Sequence, residues 1–172
     1  MKMRSIVAGV AAVAFIVSMS GCGFHLRGMG GERSAIGEIH VSAANAHGEM
    51  QQQLERSLTE AGVNLVEAGK AHYSLRLLTE RKTRRAVATT SDVKVAEYEI
   101  RFEVGFELTD AAGKSVISPT TVFAERIYRF DSASLVGNSA EEDLLDKEMR
   151  RDVASQIIRR VNASVRSAQG KE

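Results

Sequence analysis

Tryptophan, proline and cysteine are almost missing from this chain of 172 residues, which has no tryptophan, one proline and one cysteine. A charge excess is also missing, because 23 Lys and Arg residues balance 22 Asp and Glu residues. A nucleic-acid-binding protein is usually strongly basic, so this balance argues against that class. The hydrolase elbow Gly-x-Ser-x-Gly does not occur, and the four histidines do not show a recognised metal spacing. These absences leave an enzyme with little support.

The one cysteine ends a segment that is typical of a bacterial lipoprotein signal. Lys2 and Arg4 give a positively charged start, residues 6–17 form an apolar run, and small residues stand directly before Cys22. The apolar run is shorter than the roughly 20 residues that a membrane span needs. An unpaired thiol is unusual in an oxidising compartment, and acylation of Cys22 would remove it. We therefore predict cleavage before Cys22 and lipid attachment to it; an uncleaved anchor and a non-lipidated secretory signal are the alternatives.

This interpretation divides the chain into four parts. Residues 1–21 are the predicted signal peptide, 22–34 a lipidated flexible tether, 35–168 a single domain and 169–172 a disordered tail. Gly23, and not an aspartate, follows the cysteine. Because an aspartate there is the usual signal for retention in the inner membrane, we expect the outer membrane.

The hydrophobic pattern of the domain predicts the order β-α-β-β-β-α. Alternating apolar residues predict strands and a four-residue repeat predicts helices; these elements cover 36–41, 49–61, 71–88, 95–109, 115–131 and a last helix from 139. Whether 63–66 form a further short extended piece stays open. A sheet with one apolar face and two one-sided helices predicts an α+β two-layer sandwich, with a four-stranded mixed sheet and both helices on one face.

The last helix carries signals of its own. Ser139 and Glu142 have the spacing of a capping box, which predicts that the helix begins there. Apolar residues then recur at every fourth position from Leu145 onward, which predicts one buried stripe. Asp146 and Arg150 form a favourable i, i+4 pair, which we expect on the solvent side.

Two features distinguish the fourth strand. Pro119 cannot donate a hydrogen bond to a neighbouring strand, which predicts an edge position or a bulge. Phe123 and Ile127 are out of phase with the apolar residues around them, which predicts a bulge or a partner on the outer face. Phe123 and Ile127 are therefore candidate partner contacts.

The most charged stretch of the chain covers residues 80–85. It is either a site for an anionic ligand or a solvated strand whose charges prevent edge aggregation. If residues 89–92 form a hairpin loop, the next strand offers three complementary outward pairs and matching apolar inward pairs: Arg84 with Glu97, Lys82 with Glu99, Glu80 with Arg101, and inside Leu77 with Val104, Leu75 with Phe106 and Tyr73 with Leu108. Such cross-strand pairs are weak but informative about register.

This register leaves two arginines without a partner. Arg81 and Arg85 fall in phase with the apolar face and have no opposing carboxylate, whereas Lys82 and Arg84 are already paired. The rigid fork of arginine suits phosphate groups. We therefore predict Arg81 and Arg85 as the stronger candidates for binding an anionic ligand, ahead of Lys82 and Arg84.

Residues 22–28, Cys-Gly-Phe-His-Leu-Arg-Gly, carry a family resemblance. This segment resembles the start of mature lipoproteins of the lipopolysaccharide-assembly family LptE. The stretches Phe130-Asp131, Glu141-Glu142 and Lys147-Glu148-Met149, with the basic and apolar helix that follows, are similar to the C-terminal part of the same family. The resemblance covers essentially the whole mature chain.

The resemblance implies a fold and a function. It implies a two-layer domain of four strands and two helices, lipid-anchored to the outer membrane and lying in the lumen of the LptD β-barrel and in the periplasm. It further implies that the protein plugs that barrel, assists its assembly, binds lipopolysaccharide and helps deliver it to the outer leaflet, without enzymatic activity or a cofactor. Lipid A carries phosphates that unpaired arginines would meet. A lipoprotein scaffold of another envelope complex is the alternative.

Overall fold

The computed structural model describes residues 34–45, 47–89, 95–130 and 135–170. The predicted signal peptide, Cys22 and the predicted tether up to residue 33 lie outside the described residues, as do the last two residues of the predicted tail. The elements in chain order are β1 (Glu38–Ala43), α1 (Glu49–Glu60), β2 (Asn64–Leu65), a short 3-10 turn (Ala68–Lys70), β3 (Tyr73–Thr89), β4 (Val95–Asp110), β5 (Ser115–Arg129) and α2 (Leu135–Gln169).

The sheet has five strands in the order β2-β1-β3-β4-β5, one more than predicted. The additional strand is the two-residue β2, which runs parallel to β1. It forms because Gly62, with φ of 75°, turns the chain back after α1, and the Asn64 amide then donates to the Gly37 carbonyl at 3.0 Å. β1 and β3 are parallel, and β3, β4 and β5 are antiparallel, so the predicted mixed sheet and α+β class are confirmed.

Both helices cover the same face of the sheet, as predicted. In α1 the apolar residues Met50, Leu54 and Leu58 recur every fourth position and are fully buried. In α2 the buried stripe contains Met149, Val153, Ile157, Val161 and Val165. These side chains join those of one sheet face in a single apolar core. Burying a side chain of this size stabilises the fold by about 1.5–3 kcal/mol.

A β-bulge in β3 changes its register with β4. Leu77 lies opposite Phe106, but after the additional residue Leu78 it is Thr79 that lies opposite Gly105. A Cβ atom at Gly105 would lie 2.6 Å from Thr79 Oγ1, so the absence of a side chain makes room for the bulge.

The predicted register is therefore wrong on both sides of the bulge. Before it, the apolar residues keep the predicted face but are shifted by two positions, as Leu77 opposite Phe106 shows. After it, the even-numbered residues turn to the helix side, where Lys82 lies opposite Phe102. One additional residue inverts the two-residue alternation of a strand, so a strict repeat cannot give the correct faces. Three predicted charge pairs are not cross-strand neighbours in the structure: Arg84 with Glu97, Lys82 with Glu99 and Glu80 with Arg101.

β5 lies at the edge of the sheet. Its register with β4 shifts between Ile117 and Thr120, around Pro119. The edge position and the bulge that the proline predicts are thus both present, because a residue without an amide hydrogen is tolerated at either place.

α2 begins at Leu135, one turn before the predicted capping box. The prediction that the helix begins at Ser139 is therefore wrong. The side chain of Glu142 faces the sheet, where the Tyr128 hydroxyl donates to it at 3.2 Å. α2 is long but polar on its outer side. Within the ranges that the structure describes, no helix is long and apolar enough to cross a membrane.

The far ends of β3, β4 and β5 form a three-stranded extension, which we call the distal arm and define as residues 79–89, 95–105 and 121–129. β1 pairs with β3 only as far as Leu77, opposite Ala43. Beyond that point β3 has β4 as its one neighbouring strand among the described residues. The basic stretch of the sequence therefore lies on an open edge of the sheet.

Candidate functional site

The four basic candidates lie on the two faces of the distal arm. Side chains alternate along a strand, so Lys82 and Arg84 point to the helix side, and Arg81 and Arg85 point to the helix-free side. The bulge fixes this assignment, because it inverts the phase that the sequence alone predicts.

On the helix side, two carboxylates of α2 bind Lys82 and Arg84. Lys82 Nζ lies 2.8 Å from Asp146 Oδ2 and 3.2 Å from Glu142 Oε1. Arg84 Nη1 lies 3.3 Å from Glu142 Oε2 and donates to the Tyr128 hydroxyl at 3.3 Å. These contacts join β3, β5 and the first turns of α2 in one polar network.

Burial disfavours the charged forms of the side chains in this network, but their ion-pair and hydrogen-bond partners favour those forms more strongly. Burial alone would raise the pKa of Glu142, whereas hydrogen bonds and charge from Lys82, with Tyr128 and Arg84, hold that pKa below its ordinary value. Burial alone would lower the pKa of Lys82, and the bonds to Asp146 and Glu142 raise it. Lys82 and Glu142 are therefore charged at neutral pH.

Arg150 continues the network towards α1. Its guanidinium lies 2.6 Å from Glu49 and 3.7 Å from Asp146. The Asp146–Arg150 pair is present, but its predicted place on the solvent side is wrong, because Lys82 draws the Asp146 carboxylate towards the sheet. Asp146 Oδ1 is buried without a hydrogen-bond partner in the described part of the chain.

On the helix-free side, the distal arm carries three rows of side chains across β3, β4 and β5. The rows are Arg81–Glu103–Phe123, Thr83–Arg101–Glu125 and Arg85–Glu99–Ile127. Neighbouring strands lie about 4.8 Å apart, so each row spans about 10 Å. This face, which we call the helix-free face, is basic along β3 and has its apolar side chains along β5.

The two arginines of this face differ in their partners. Arg85 donates to both carboxylate oxygens of Glu99, at 2.6 and 3.0 Å, and this bond lowers the pKa of Glu99. Arg81 is exposed and forms no ion pair with any described residue, because Arg101 holds the opposing Glu103 at 2.7 Å. The prediction that both arginines lack a partner is thus wrong for Arg85, since the shifted register brings Glu99 opposite to it.

Lys82 and Arg84 are paired, but with carboxylates of α2 and not with those of β4. Sequence reasoning missed Glu142 and Asp146 as members of the site. Their i, i+4 spacing places both on one face of a helix, which is the available signal. Which strand that face meets depends on tertiary packing, and the sequence pattern does not contain it.

Phe123 and Ile127 lie on the helix-free face, where they are 45% and 60% exposed. The guanidinium of Arg101 lies 3.8 Å from the centre of the Phe123 ring and also binds Glu125. Glu125 separates the two along β5, so they are two exposed apolar contact points on a charged face.

The opposite end of the molecule holds a groove of about 930 Å³ between the β4–β5 turn and the end of α2. Its carboxylate, Asp110, accepts hydrogen bonds from the amides of Ala112 and Lys114 at 2.9 Å and so serves the turn. The basic candidates of the stretch 80–85, Phe123 and Ile127 do not line this groove. In the described ranges, no three His, Cys, Asp or Glu side chains are placed to hold a metal ion.

The fold and the distal arm define a two-layer α+β domain that presents charged and apolar contact surfaces. The model of the family described as "LptE: Lipopolysaccharide-assembly" matches residues 36–161. Because this match covers most of the chain, the chain belongs to the LptE family. Membership gives it the role of a lipopolysaccharide-assembly lipoprotein, which is not enzymatic.

Two relatives carry the same family name. The LPS-assembly lipoprotein LptE of Pectobacterium atrosepticum is 25% identical over 162 residues, which is 93% of this chain and 85% of the relative. The LPS-assembly lipoprotein LptE of Photorhabdus laumondii is 22% identical over 162 residues, covering 91% of this chain and 88% of the relative.

Solved structures of bacterial lipoproteins share the fold. Rare lipoprotein B from Shewanella oneidensis has a TM-score of 0.69 at 24% identity, over 77% of this chain and 98% of that structure. Lipoprotein B from Nitrosomonas europaea has a TM-score of 0.68 at 25% identity, over 82% of this chain and 91% of that structure. The similarity supports the two-layer fold described above.

Proposed function

We propose that this protein is an outer-membrane lipoprotein that occupies and helps assemble an LptD-like β-barrel, binds lipopolysaccharide and helps deliver it to the outer leaflet. The observation that carries the proposal is the family match over residues 36–161. The lipoprotein signal that ends at Cys22 supports the membrane location. The domain acts in the barrel lumen and in the periplasm.

The anchor is the acylated Cys22. One acyl chain gives only marginal membrane binding, and a lipoprotein cysteine carries more than one, so attachment is permanent. Mass spectrometry of the mature N-terminus should find residues 1–21 removed and Cys22 lipidated. An unmodified thiol at Cys22 would contradict this part of the proposal.

The barrel contact includes Phe123 and Ile127. Both are apolar and exposed on the helix-free face, and burying them against a partner would remove apolar surface from water. The test is affinity purification of the full-length lipoprotein from detergent-solubilised outer membranes, followed by identification of the β-barrel that copurifies.

The variant for this test is Phe123→Ser with Ile127→Ser, and it should recover less barrel than the wild type. Leu144→Ser is the matched control, because Leu144 is equally apolar and exposed but belongs to α2. Recovery of no barrel by the wild type, or equal losses in both variants, would count against the proposed contact.

The lipopolysaccharide contact is basic. The phosphates of lipid A bind Arg81 and Arg85 on the helix-free face, with Lys82 and Arg84 contributing from the helix side of the same strand. Arg81 supports this assignment best, because it is exposed and forms no ion pair among the described residues. Arg85 is 71% exposed even with Glu99 bound, so a phosphate can compete for it.

A further inference from the structure

α2 is attached to the sheet in two different ways along its length. From Met149 to Val165 its buried apolar side chains pack into the core. In the turns before Met149, Glu142 and Asp146 reach the sheet through ion pairs. Apolar packing is thinner there, with Leu145 partly buried against the core and Leu144 58% exposed. Partly exposed ion pairs stabilise far less than buried apolar contacts. The first turns of α2 are therefore the more easily detached part of the helix.

The ion pairs occupy cations that stand beside an open sheet edge. Beyond Leu77, β3 has no neighbouring strand on its β1 side among the described residues. Side chains from both faces of an edge strand can reach the space next to it. Lys82 and Arg84 remain 37% and 46% exposed in their ion pairs, so a ligand at this edge can compete for them.

We propose that Glu142 and Asp146 act as an internal competitor for the phosphate of an anionic lipid. Their carboxylates hold Lys82 Nζ and Arg84 Nη1, which are donors that a phosphate would use. A phosphate that takes the donors held by these carboxylates displaces the first turns of α2, and the ligand then meets all four basic residues of the stretch 80–85. This inference rests on the proposed function, since it takes lipid A as the ligand.

The test compares two variants of the full mature lipoprotein in detergent, with purified diphosphoryl lipid A as the probe. Glu142→Gln with Asp146→Asn removes the competitor. Glu141→Gln with Asp143→Asn changes the net charge equally on the same turns of α2, at exposed positions outside the network. The first variant should bind lipid A about three- to tenfold more tightly than the wild type, as expected for releasing a few partly exposed ion pairs. The control should keep the wild-type affinity.

A third variant shows whether the released cations bind the ligand. Adding Lys82→Gln and Arg84→Gln to the Glu142→Gln, Asp146→Asn variant should abolish the gain. A gain that survives this addition, or an equal gain in the charge-matched control, would overturn the inference. If the double variant does not fold, Glu142→Gln alone should give a smaller gain of the same kind.

The two failures can be told apart. If the wild type does not bind lipid A, the proposed function is wrong and the inference falls with it. If the wild type binds but removal of Glu142 and Asp146 gives no gain, the inference alone is wrong. Hydrogen exchange adds a direct readout: lipid A should speed amide exchange in residues 138–148 and leave 153–165 unchanged. Slower exchange in 138–148 on binding would contradict the movement.

Discussion

The two ends of the sheet are built from different interactions. One is the distal arm, and we call the other, which β1 and α1 cover, the near end. At the near end, β1, α1 and the later turns of α2 enclose fully buried side chains such as Leu54, Phe106 and Ile157. At the distal arm, the helix side combines buried apolar side chains such as Ile100 and Val104 with ion pairs such as Lys82–Asp146, and the other face stays open. The comparison teaches that apolar packing stabilises both ends, whereas the distal arm in addition keeps charged and apolar groups available for contact.

The largest loss of stability should come from a substitution at the near end. Phe106→Ala leaves a cavity in the core and should lower the free energy of unfolding by about 3–5 kcal/mol. Phe123→Ala removes the same side chain from the exposed face of the distal arm and should cost less than about 1 kcal/mol. Urea unfolding of both variants measures the difference. Similar losses would break the distinction between the two ends.

A substitution at Gly105, at the junction between the two ends, should have the next largest effect on the free energy of unfolding. Gly105→Ala places a Cβ atom 2.6 Å from Thr79 Oγ1, and we expect a loss of about 1–3 kcal/mol from this overpacking. Thr79→Ala removes the clashing atom, so the double variant should regain most of the loss in a double-mutant cycle. If Gly105→Ala is as stable as the wild type, the glycine does not account for the bulge.

The ion pairs of the distal arm should give the smallest effect on stability, of about 1 kcal/mol or less for Glu142→Gln at neutral pH. The pKa of Glu142 is lowered in the folded state, so its stabilisation is complete above the unfolded pKa and is lost as the pH falls through the folded pKa. The stability difference between wild type and Glu142→Gln should therefore shrink from pH 7 to pH 3. Glu141→Gln, at an exposed position outside the network, is the control for removing one negative charge from the same turn.

The sequence predicted the elements better than their register. The alternation of β4 and the four-residue repeats of both helices are long and regular, so they predict the elements even where the register between strands is wrong. The two-residue β2 is too short to carry a repeat, and it depends on the turn at Gly62 and on pairing with β1. α2 begins at Leu135, before its capping box, and the Tyr128 hydroxyl of the sheet donates to Glu142.

The candidate site was predicted as a strand with its basic residues on two faces, but each pair was assigned to the wrong face. Residues 80–85 are recognisable from charge alone. Their distribution depends on one bulge, and the available signal was Gly105, since a glycine inside a strand often marks a bulge. Glu142 and Asp146 are distant in sequence from Lys82 and Arg84, so only the packed structure brings these side chains together.

The central claim is that the helix-free face of the distal arm binds lipopolysaccharide. The direct measurement is the affinity of the full mature lipoprotein for diphosphoryl lipid A in two neutralised variants, Arg81→Gln with Arg85→Gln and Lys82→Gln with Arg84→Gln. The first pair should lose more affinity, because Arg81 binds the ligand without displacing an ion pair, whereas Lys82 and Arg84 must first give up their bonds to Glu142 and Asp146. A larger loss in the second variant, at unchanged thermal stability, would contradict the account.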